Sequence, residues 1–123
     1  MIPALVAIGG GVGAVLRYWI GSAVQPMGGT FPLGTLVVNI SGCFVIGIVA
    51  ELAERRGLSS EGRAFLMVGI LGGFTTFSAF ANDTVNAMRA GAMTAGVLNV
   101  TASVLLCLAA TWVGRSITAL ILR

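Results

Sequence analysis

Apolar residues fall into four long runs, separated by short stretches of turn-forming and charged residues. The first run extends from about Ile2 to Val24 and stops at Gln25-Pro26-Met27-Gly28-Gly29, a turn written in Pro and Gly. The second begins near Pro32, a residue suited to a first helical turn, and continues to about Leu52. The third covers about Ala64 to Met88, and the fourth about Met93 to Leu120. Each run matches the roughly 20 apolar residues that a helix needs to cross a bilayer. The pattern therefore predicts four transmembrane helices. The stretch from Glu51 to Arg63 carries most of the ionisable groups and reads as a short wet turn between spans two and three.

The third run is interrupted. Its middle reads Gly69-Ile70-Leu71-Gly72-Gly73-Phe74-Thr75-Thr76, and each Gly costs a helix about 1 kcal/mol relative to Ala. A break is expected there. Non-helical backbone at membrane depth survives only where protein buries it or a wet cavity meets it, so a break points to a site.

Composition narrows the class. Of 123 residues, 57% are hydrophobic and 9% charged, and the mean hydropathy is +1.01. Such a chain cannot cover itself in water, and its length leaves room for one membrane domain over residues 1–123. The first run has no basic segment before it and exceeds the usual length of a signal-peptide core, so it is expected to remain as a helix. The net charge of +3 comes from scattered Arg residues without interleaved aromatics, which argues against nucleic acid as a partner. With both termini and the Glu51 to Arg63 turn on one side, that side holds Arg55, Arg56, Arg63 and Arg123, against Arg89 on the other. The positive-inside rule then places the termini in the cytoplasm, by a modest margin that leaves insertion in both orientations open. There is no His, no paired carboxylate within a span and no evident activated nucleophile, so an enzyme is not expected. Cys43 and Cys107 lie inside apolar runs and read as small packing residues.

The polar residues inside the spans carry the chemistry. Span two presents Thr35, Asn39 and Cys43 four residues apart, and span four presents Asn99, Ser103 and Cys107 at the same spacing. Each step climbs about 6 Å along one helix face, so these are two ladders of hydrogen-bonding groups. Ladders of this kind either hold helices together or, being neutral, solvate an ion without trapping it. Phe77 and Phe80 follow the expected break, and an aromatic ring has a positive edge that can face a small anion. The glycines Gly9-Gly10-Gly11-Val12-Gly13 and Gly69 to Gly73 have the spacing of close helix packing.

Several stretches resemble the CrcB/Fluc fluoride channel family. They are Gly13-Ala14-Val15-Leu16-Arg17-Tyr18, Gly34-Thr35-Leu36-Val37-Val38-Asn39-Ile40-Ser41-Gly42-Cys43-Phe44 and Gly72-Gly73-Phe74-Thr75-Thr76-Phe77-Ser78-Ala79-Phe80, with the ladder from Asn99 to Cys107 matching more loosely. They occur in all four spans and in order. The resemblance implies an antiparallel, dual-topology homodimer in the cell inner membrane or plasma membrane, with two pores conducting fluoride passively among the membrane lipids. By position, Phe77 and Phe80 become ring-edge residues of the pores, Asn39 an amide donor and Ser103 a hydroxyl, with Thr35 and Asn99 along the same faces. Arg17 falls near a pore vestibule, or alternatively snorkels to the interface. The resemblance also implies a structural sodium ion at the dimer centre, held by the backbone carbonyls of Gly72 and Thr75. Three positions depart from the family pattern: Ala79 stands for a hydroxyl residue, Asn99 for a frequent Tyr, and Cys107 for a small or hydroxyl residue. A proton-coupled exporter of small drugs also uses a four-span chain, but it needs a titrating group within a span, and Asp83 is the only acid so placed.

Overall fold

The computed structural model describes all 123 residues, and every regular element in it is helical. Helix α1 is Ile2–Val24 and α2 is Leu33–Leu52, which continues as a wider π turn over Ala53–Gly57. Helix α3 occupies residues 60–74: one α turn at Ser60–Arg63, π turns over Ala64–Leu71 and a last turn at Gly72–Phe74. Helix α4 is Phe77–Arg89 and α5 is Met93–Ile121. Taken as continuous units, 2–24, 33–57, 60–89 and 93–121 are four helices long and apolar enough to span a membrane.

The charged stretch after span two is more helical than its composition suggests, and only Leu58 and Ser59 are left between helices. Arg55 Nε bonds Glu51 Oε1 at 2.6 Å one turn back, which lets charged residues prolong the helix. Gly57, at φ 75°, then reverses the chain in a region that favours glycine, and the Ser59 hydroxyl accepts the Gly62 amide to cap the next helix.

Few side chains are buried against protein. The apolar core amounts to Leu36, Val38, Ala53, Ala64, Leu71, Phe74 and Ala87, while Trp19, Trp112 and many Leu, Ile and Val side chains lie exposed. In water that surface would drive aggregation; in lipid it is the solvated face. Packing energy comes instead from close backbone approach, as expected where lipid tails remove the hydrophobic drive between helices. Helix α1 lies on α3 through its glycines, where a Cβ at Gly13 would strike the Ile70 carbonyl and one at Gly73 the Gly10 carbonyl. Helix α2 lies on α5 through Gly47 against Thr111 and Gly114 against Phe44. At one end of this second pair, Arg115 Nε approaches Glu51 at 3.4 Å and Arg115 Nη2 bonds Glu54 at 2.6 Å. The turn between α1 and α2 is tied by Gln25, whose amide donates to the Phe31 carbonyl and accepts from the Gly34 amide at 3.1 and 2.9 Å.

The long third unit changes course at Thr75 and Thr76, whose backbones are extended (φ −82°, ψ 153° and φ −150°, ψ 117°). The glycines before them stay helical, because Gly69 and Gly73 serve the α1 contact.

Candidate functional site

Two cavities meet at this extended segment, and Thr76 lines both. The larger, about 770 Å³, is bounded by α1, α2, α4 and the first turn, with Arg17, Gln25, Thr35, Asp83 and Asn86 in its wall. The smaller, about 350 Å³, is lined by Asn39, Cys43, Phe77, Phe80, Ser103 and Cys107, among others.

Asn39 holds the segment open. Its side-chain nitrogen donates to the Thr76 carbonyl at 3.0 Å, and its side-chain oxygen accepts the Thr76 amide at 2.8 Å. An extended residue inside a membrane protein would otherwise leave both groups unpaired, at several kcal/mol each. The Asn39 amide spends one of its two N–H bonds on Thr76, and the residue also borders the smaller cavity. The Thr76 hydroxyl accepts the Ala79 amide at 3.2 Å and so caps α4. These two diversions free two carbonyls: in a continuous helix the Thr76 amide would bond Gly72 and the Ala79 amide would bond Thr75. Thr75 itself sends its amide and hydroxyl to the Leu71 carbonyl, at 3.0 and 2.9 Å.

The ladder of α5 divides in two. Asn99 is 1% exposed and lies in neither cavity. Its side-chain nitrogen donates to the Thr84 hydroxyl at 2.8 Å, and that hydroxyl donates to the Phe80 carbonyl at 2.7 Å. The Ser103 hydroxyl donates to the Asn99 oxygen at 3.4 Å, a long bond, and Ser103 also borders the smaller cavity. The chain of donors runs one way, from Ser103 through Asn99 and Thr84 to a carbonyl on α4. Ser103 is thus the end that can turn toward the cavity.

Phe77 and Phe80 sit on one wall of that cavity with ring centroids 5.2 Å apart and planes tilted by 47°. Phe77 is 79% exposed, so its ring is anchored by little within this chain. Thr35 and Arg17 belong to the larger cavity, where the Thr35 hydroxyl donates to Asp83 Oδ2 at 2.6 Å. The sequence-predicted residues therefore fall into two groups: Asn39, Ser103, Phe77 and Phe80 together, and Thr35 with Arg17 one chamber away. Thr75 borders the smaller cavity beside Thr76, whereas Gly72, one helical turn before Thr76, lines neither.

Sequence reasoning passed over Thr76, Thr84 and the pairing of Asp83. A Thr closing the expected break and directly preceding the next apolar helical run, the N-cap position, was the available signal for Thr76. Asp83 on one helix and Thr35 on another have no local spacing to betray them. No cluster of three or more His, Cys, Asp or Glu side chains exists, so a metal ion at the junction would rest on carbonyl oxygens.

Chemically, the arrangement offers neutral donors, ring edges, one Arg and one carboxylate, Asp83, which Thr35 engages. It can solvate a small anion and pass it on. The model of the family described as CrcB-like protein, Camphor Resistance (CrcB), matches residues 4–115. A protein of Rhizobium etli strain CFN 42 named "Fluoride-specific ion channel FluC" is 51% identical, over 95% of this chain and 96% of the relative. Two others with the same name are each 50% identical: one from Rhizobium etli strain CIAT 652, with 92% of each chain covered, and one from Rhizobium johnstonii, likewise 92% and 92%.

Proposed function

The chain belongs to the CrcB family, and from that membership we propose that it is a fluoride-specific ion channel, passing fluoride passively out of the cytoplasm across the inner or plasma membrane. The observation that carries this reading is the identity of about half the residues, over nearly the whole of both chains, with relatives named as fluoride-specific channels. The physical arrangement suits the task. Arg17 in the larger cavity attracts an anion from solution, and Thr35 occupies the negative charge of Asp83 with a donor. Beyond Thr76 the ion exchanges water for the free N–H of Asn39, the Ser103 hydroxyl and the ring edges of Phe77 and Phe80. Each partner is neutral, so entry is favourable and exit remains fast. Fluoride is the halide with the strongest hydrogen-bond demand, which donor groups meet better than apolar walls do.

One chain leaves the smaller cavity open on the side of the exposed Phe77. A second copy in antiparallel orientation closes it, which gives a dual-topology homodimer with two pores lined by both subunits. At the dimer centre the freed carbonyls of Gly72 and Thr75 from both copies suit a sodium ion, a monovalent cation that needs no carboxylate. Their fit rests on the diverted amides of Thr76 and Ala79. The expected result of ion replacement with a heavier monovalent cation in crystals is an anomalous peak on the two-fold axis between the breaks; a peak elsewhere, or a parallel pair, removes the site.

Passive conduction separates this reading from proton-coupled export. Asp83 is engaged by Thr35 and lies outside the smaller cavity. Fluoride efflux from proteoliposomes is therefore expected to be unchanged when an ionophore collapses the proton gradient. Efflux that stops with the gradient would instead assign Asp83 to proton coupling.

A further inference from the structure

Helices α2 and α5 run side by side in a fixed register. Asn39 and Ser103 share a cavity, Gly47 packs on Thr111, and Glu51 meets Arg115. Cys43 and Cys107 are the rung between the first two of these pairs. The Thr111 hydroxyl donates to the Cys43 carbonyl at 3.0 Å, which fixes the register at this rung, and Cys43 and Cys107 both border the smaller cavity. Both are free and half-buried.

We propose that Cys43 and Cys107 form a two-thiolate site for a soft cation of linear coordination, with mercuric ion the best match, and that its occupancy obstructs the path past Ser103 and Phe80. Soft sulfur donors select soft metals. Zinc is disfavoured, since it takes four ligands and no third His, Cys, Asp or Glu joins the pair. In the binding step each thiol gives its proton to solvent water, two sulfur–mercury bonds form, and the ion sheds the two chlorides or water molecules it arrived with. Two protons leave for one divalent cation, nothing is oxidised, and the product is neutral. Neutrality matters here, because a net charge in a low-dielectric wall is costly. The pair is a property of this chain's residues, since the rungs on either side carry no thiol.

The obstruction rests on the fluoride reading above, whereas the binding does not, so the experiment reads both. Purified full-length protein in liposomes is titrated with mercuric chloride, with bound metal and free thiols counted by intact mass and maleimide labelling. The expected result is one mercuric ion per chain with both thiols protected, and fluoride efflux reduced by about tenfold or more and restored by dithiothreitol. In Cys43→Ala and in Cys107→Ser the ratio of treated to untreated efflux should return toward unity. Two mercuric ions per chain, or unaltered inhibition in either variant, would overturn the site, as would full efflux with the ion bound. One ion held by both thiols in a chain that moves no fluoride keeps the site and overturns the fluoride reading instead.

Discussion

Replacing Asn39 with Leu is expected to lower fluoride efflux by about a hundredfold and to lower thermal stability with it, because one amide serves both the backbone and the ion. Its two bonds to Thr76 satisfy an amide and a carbonyl that the extended segment leaves without helical partners. Leu fills the space and offers neither. Each orphaned group costs about 1–3 kcal/mol, and about 1.4 kcal/mol of barrier is a factor of ten in rate. The lost N–H in the smaller cavity adds directly to the barrier for a desolvated anion. Asn39→Asp separates the two roles: its oxygen still accepts the Thr76 amide, while the donor is lost and a negative charge faces the path. That variant should keep more of the melting temperature than Leu does, yet conduct as poorly. Efflux from proteoliposomes, paired with melting curves in detergent, checks both; an Asn39→Leu protein that conducts within about twofold of the original would remove Asn39 from the pathway.

Truncating the rings gives the second large effect. Phe77→Ala and Phe80→Ala are each expected to cut flux by about tenfold or more while the protein stays folded. A ring edge in a dry passage contributes about 1–2 kcal/mol to a charge, by analogy with the energies of ring–ion contacts. Phe77 buries little within its own chain at 79% exposure, so its removal costs that chain little packing. Phe80 is more enclosed, and its carbonyl, not its ring, closes the bond from Thr84; the backbone link survives substitution. If the rings serve only to hold two copies together, both variants will elute as smaller species on a sizing column with any loss of flux. An intact oligomer with normal flux would return them to ordinary packing.

Much of this architecture is legible in the order of residues, because in a membrane chain apolar length dictates helix count. Helix α1 ends where Gln25 and Pro26 say it must, and α5 begins at Met93. The glycines and β-branched residues of the stretch from Gly69 to Thr76 bring attention to the right region of the third unit without saying which of them leave the helix. Gly73 remains helical since only a glycine fits against the Gly10 carbonyl, and the extended residues are Thr75 and Thr76, held by a side chain from another helix. No single-helix propensity contains that information. The ladders were visible as spacing, whereas their division was not: Asn99 is buried against Thr84, and Ser103 alone of the two reaches the cavity. That outcome depends on how α4 lies on α5, a tertiary fact. The polar composition of Glu51 to Arg63 predicts a short wet turn, yet i,i+4 pairing prolongs the helical course to Gly57.

The measurement that bears most directly on the central claim compares two halides through the same protein. Liposomes reconstituted with the purified chain, loaded with potassium fluoride or potassium chloride and opened to potassium by an ionophore, report anion efflux at an ion-selective electrode. Fluoride should leave far faster than chloride, because the path offers a few fixed donors suited to a small, strongly hydrogen-bonding ion. Equal rates for the two halides, or no protein-dependent release of fluoride, would contradict it.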